Sequence, residues 1–85
     1  MSRPNPWTPL DLTRPAAHMR ELAGLSLSEA AQRLDLAGPT AVHTAERREA
    51  GRGLSESAAG SMTLGGLLAR ARAYGLVLEV RVRRA

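Results

Sequence analysis

The chain has 85 residues, with no cysteine, no phenylalanine, one tryptophan and one tyrosine. This is one small domain built on leucine, alanine and valine, which excludes a disulfide framework, a thiolate metal site and a roomy enclosed cleft. All 12 basic residues are arginine and stand against 8 acids, a net charge of +4 that suits an anionic partner.

Residues 1–13 read as an extended arm, with Pro4, Pro6 and Pro9 around Trp7. Trp7 is expected to plug onto the domain; Arg3 gives only thin support for an arm that reaches into a DNA groove. Thr13 can cap a first helix over residues 15–23, with Pro15 in its opening turn and Gly24 as its stop. Ala16, Met19, Leu22 and Ala23 recur there at helical spacing.

Ser26-Leu27-Ser28-Glu29 is a capping box, in which serine and glutamate satisfy each other's backbone N–H groups. It opens a second helix over residues 27–34, with Ala30, Ala31 and Leu34 inward and a stop near Asp35. Gly38-Pro39-Thr40 starts a third helix over residues 39–50, with Ala41, Val42 and Ala45 inward. Two short helices, a tight connection and small alanines where they touch form the pattern of a helix-turn-helix. In an arginine-rich chain that pattern points towards DNA.

Residues 51–62 are rich in Gly, Ser and Ala and read mainly as a loop, with room for one helical turn over 55–59. Thr63 can cap a fourth helix over residues 64–74, whose stripe is Leu64, Leu67, Leu68 and Ala71 and whose stop is Gly75. The period then changes. Leu76, Leu78, Val80 and Val82 alternate with Val77, Glu79 and Arg81, which predicts a strand. A lone strand leaves its backbone unpaired, so it is expected to pair with the same strand of a second subunit, or with a piece of the N-terminal arm. The domain plan is thus an arm over 1–13, a helical body over 14–75, and a dimerisation strand with a basic tail over 76–85.

Gly24-Leu25-Ser26, Ser28-Glu29-Ala30-Ala31-Gln32-Arg33-Leu34, Val42 and Ala45-Glu46 resemble the Cro/repressor-type helix-turn-helix regulators of the Xre superfamily. The likeness covers residues 14–82. Helix-then-strand layout after Thr63 is similar to one subgroup, the HipB-like antitoxins that also regulate their own operons. The resemblance implies a mostly α, lambda-repressor-like helix-turn-helix bundle of four to five helices, with a C-terminal β-strand pairing across a homodimer. It also implies an ion pair between Arg20 and Glu46 that holds the recognition helix against the first helix. The sequence departs from the family's pattern at Asp35, where glycine is usual, at Ala30 and Ala45, and by one extra residue between Leu36 and Val42.

If the third helix enters a major groove, its outward face carries Thr40, His43, Thr44, Arg47 and Arg48. Arg48 and Arg52 suit phosphates, and Ser26 and Ser28 stand at a helix N-terminus where a phosphate oxygen is favoured. Leu76, Leu78, Val80 and Val82 are the expected dimer contacts, while Arg81, Arg83 and Arg84 read as a solvated tail. His18 and His43 fall on different helices without a carboxylate cluster, so no metal, cofactor or catalytic residue is expected. The expected function is a repressor that binds double-stranded DNA at an inverted repeat. An antitoxin that binds a toxin protein, and a helix-turn-helix kept only for protein interaction, are the alternatives. No apolar run reaches membrane-spanning length, and the chain opens on prolines without an apolar signal core, so a cytoplasmic, nucleoid-associated protein is expected.

Overall fold

The computed structural model describes residues 7–50 and 63–84. Four helices follow one another among them: α1 (Pro15–Leu22), α2 (Leu27–Arg33), α3 (Pro39–Glu49) and α4 (Leu64–Ala73). α2 packs on α3, and α1 packs on both α3 and α4. The buried core is Ala16, Met19, Ala30, Ala31, Val42, Leu67, Ala71 and Tyr74. Four of these are alanines, which let the helix backbones approach closely but bury little area per residue.

That narrow core changes which leucines go inside. Leu22, Leu64 and Leu68 were placed by spacing on inner stripes, yet each is more than two-fifths exposed. Leu67 and Ala71 are the buried residues of α4, so its buried stripe is narrower than its apolar spacing. No helix of the described residues is long and apolar enough to cross a membrane.

Three of the four helices end by the same device. After α1, the Gly24 N–H donates to the Glu21 carbonyl (3.0 Å) and the Leu25 N–H to the Arg20 carbonyl (3.1 Å). After α2, Asp35 donates to Gln32 (3.3 Å) and Leu36 to Ala31 (2.8 Å); after α4, Gly75 donates to Arg72 (3.1 Å) and Leu76 to Ala71 (2.8 Å). This closure needs a left-handed residue followed by an apolar one, and the chain writes it as Gly-Leu, Asp-Leu and Gly-Leu. Asp35 takes the left-handed conformation (φ 56°) and is the one non-glycine described residue with positive φ. The short side chain of aspartate tolerates this region better than most.

The helix starts agree with the spacing except at α1. Ser26 and Glu29 form the reciprocal capping box, and the Thr63 hydroxyl accepts from the Gly66 N–H. Thr13, however, does not cap α1: its backbone N–H and its hydroxyl both donate to the Asp11 carboxylate (2.9 and 2.6 Å). Arg14 takes the N-cap position, and arginine has no acceptor to offer. The acceptor comes instead from the far end of α3, where the buried Glu49 carboxylate receives the Ala16 N–H.

Residues 76–84 form neither helix nor strand. Alternation alone does not make a strand; a ladder partner is needed, and residues 77–84 make no backbone–backbone hydrogen bond among the described residues. Leu76 and Leu78 pack against the chain's own core, whereas Val77, Val80 and Val82 are 83%, 61% and 96% exposed.

Candidate nucleic-acid interface

Helix α3 begins at Pro39, whose fixed φ suits the first turn, after a connection of residues 34–38 that leaves α2 through the left-handed Asp35. Its inner face is Val42, Glu46 and Glu49, all buried. Two buried carboxylates on one helix face demand compensation, and each has it. Glu46 receives a two-pronged bond from Arg20, with Nε at 2.8 Å from Oε2 and Nη2 at 3.1 Å from Oε1. The remaining Arg20 nitrogen, Nη1, donates to the Leu25 carbonyl at 3.2 Å, just beyond the end of α1. One guanidinium therefore joins α1, the turn after it, and α3. Its bond to Glu46 holds the Arg20 pKa above the ordinary value.

Glu49 binds differently. Its carboxylate caps the Ala16 N–H at the start of α1, and Arg70 of α4 adds electrostatic attraction. Burial nevertheless prevails and pushes the Glu49 pKa above the usual carboxylate value. Beside them the Tyr74 hydroxyl and Arg70 Nη1 are buried, and neither makes a geometrically good hydrogen bond among the described residues. Burial likewise raises the Tyr74 pKa. Glu49 is not among the residues expected from the sequence. Its signal was present, since Val42, Glu46 and Glu49 follow i, i+4, i+7 spacing and share a stripe.

The outer face of α3 carries Thr40, His43, Thr44, Arg47 and Arg48, all exposed. None of the five makes a side-chain hydrogen bond or ion pair among the described residues. His43, Thr44, Arg47 and Arg48 together line a shallow cleft of about 310 Å³. Arg47 and Arg48 also sit in the last turn, where cations suit the helix dipole.

The other candidate residues stand apart from this group in their chemistry. The Ser26 hydroxyl accepts from the Glu29 N–H (3.1 Å), and the Glu29 carboxylate accepts from the Ser26 N–H (3.2 Å). That bond to the Ser26 backbone holds the Glu29 pKa below its ordinary value. The N-terminus of α2 thus already has an anion against it, which works against the phosphate expected at Ser26 and Ser28. Arg52 lies outside the described residues, as do Arg3 and the connection over 51–62. Among the described residues no group of three or more His, Asp or Glu side chains is placed to hold a metal ion.

Neither a protein-family model, nor a curated protein, nor a solved structure matches this chain.

Proposed function

We propose that this protein is a DNA-binding regulator in which α2 and α3 act as a helix-turn-helix and α3 enters the major groove. One observation carries the reading: α3 is anchored by buried charge on one face and presents on the other five polar side chains with no partner among the described residues. Arg47 suits the O6/N7 edge of guanine, His43 and the threonine hydroxyls suit base edges or phosphates, and Arg48 suits a phosphate. The protein acts as a homodimer on an inverted repeat, with half-sites roughly 34 Å apart, and represses by occupying a promoter. The uncovered Val77, Val80 and Val82, on a segment without backbone partners among the described residues, support a contact between subunits there.

The test is a gel shift against DNA from the gene's own promoter region and a scrambled duplex, across several salt concentrations. Selective binding supports the reading. Weak, equal binding to both, fading steeply with salt, is charge attraction only and removes it; a protein partner, such as a toxin, would then be sought. For the dimer, Val80→Asp should yield a monomer in sedimentation, and a variant that stays dimeric rejects the tail as the interface.

A further inference from the structure

Residues 7–13 of the N-terminal arm lie against the C-terminal segment across an apolar groove of about 400 Å³. Trp7 and Leu10 line one part of it, Leu76 and Leu78 another, and Met19 and Leu22 of α1 lie between. Leu10 packs on the core, and the Arg81 guanidinium sits over the Trp7 ring, 5.9 Å from its centre. Where the arm meets α1, the Asp11 backbone N–H donates to Nδ1 of His18 at 2.8 Å.

That bond fixes a protonation state. Nδ1 can accept only in the neutral ring whose proton is on Nε2; in the imidazolium both nitrogens are donors. We infer that His18 is a pH-sensitive clasp for the arm. Neutral His18 holds the Asp11 backbone and keeps the arm as one wall of the groove. When His18 takes a proton from solvent, two N–H groups oppose each other, the bond is lost and the arm is released.

The charged groups around His18 do not replace the bond. Asp11 lies on the arm, and Arg14 and Glu21 belong to the N-cap and last turn of α1. An imidazolium at His18 would attract both Asp11 and Glu21. The Asp11 carboxylate, however, is already bonded to the Thr13 N–H and hydroxyl and lies 3.4 Å from Arg14 Nε. Glu21 is engaged by both terminal nitrogens of Arg14, at 2.7 and 3.0 Å. Release of the arm opens the apolar groove beside the C-terminal segment.

Trp7 is the chain's one tryptophan and lies on the arm, so intrinsic fluorescence reports the arm directly. The experiment is a fluorescence titration from about pH 8 to about pH 5, the window in which imidazoles change charge. Far-UV circular dichroism is followed in parallel on wild type, His18→Asn and His43→Asn. Asparagine offers a carbonyl acceptor near the Nδ1 position and does not titrate. The expected result is a fluorescence transition at constant helicity in wild type and in His43→Asn, and its loss in His18→Asn. Absence of the transition in wild type overturns the clasp. So does its survival in His18→Asn, its loss in His43→Asn, or a fall in helicity that tracks the fluorescence.

Discussion

Along α3, Val42, Glu46 and Glu49 are buried against the body, whereas Thr40, His43, Thr44, Arg47 and Arg48 face outward. Both faces are polar, so polarity does not distinguish them. What distinguishes them is compensation: Arg20 and the Ala16 N–H answer the inner carboxylates. Nothing among the described residues answers the outer group. Buried, paired charge fixes the orientation of one helix relative to another, because each bond is satisfied in a single geometry. Exposed, unpaired charge adds little to stability and is left for a partner.

The two faces should therefore fail in different ways. The largest effect belongs to the inner fork. Glu46→Ala leaves the Arg20 guanidinium partly buried without its carboxylate, and should cost about 3 kcal/mol in urea unfolding. A loss under about 1 kcal/mol would mean that the fork does not hold α3 in place.

Glu49 comes next. Glu49→Ala uncaps α1 and should cost about 2 kcal/mol. Glu49→Gln should cost less, since its amide oxygen still accepts from the Ala16 N–H. The pH dependence has a definite sign. The folded pKa of Glu49 lies above its unfolded value, so the folded state binds the proton more tightly. Wild type should gain stability relative to Glu49→Gln as pH falls from neutrality through the folded pKa. Unfolding midpoints of the two proteins at several pH values check this, and a gap that moves the other way refutes the buried-carboxylate assignment.

The smallest effect sits in the turn that leads from α2 into α3. Asp35→Gly removes a left-handed aspartate and should stabilise by about 0.5–1 kcal/mol, read as a raised melting temperature. Gly24→Ala is its mirror. A Cβ there meets no atom within 4 Å, so its cost, about 1 kcal/mol, comes from backbone conformation alone.

These contrasts also mark how far the chain could be read from its sequence. Local signals carried well: the capping box at Ser26, the prolines at 15 and 39 and the stops at Gly24 and Gly75 all lie at or next to helix ends. Signals that depend on distant partners did not. Thr13 is a plausible cap by composition, but the true acceptor is Glu49 on α3, 33 residues from the Ala16 N–H it receives. Leu22, Leu64 and Leu68 keep helical spacing yet stay exposed, because the width of the buried stripe is set by the facing helix. The period of two in the tail is a property of the sequence, whereas a strand is a property of a pair. On the outer face of α3, the i, i+3, i+4, i+7 spacing was enough to group Thr40, His43, Thr44 and Arg47. Facing of Arg20 and Glu46 came from the resemblance, since nothing in a spacing of 26 residues announces a contact.

The most direct test of the two-faced helix is Arg47→Ala, measured for both DNA affinity and unfolding midpoint against wild type. Affinity for promoter DNA should fall by about tenfold at moderate salt, while stability stays within about 0.5 kcal/mol. Unchanged affinity for the same DNA would contradict the assignment of this face of α3 to the major groove.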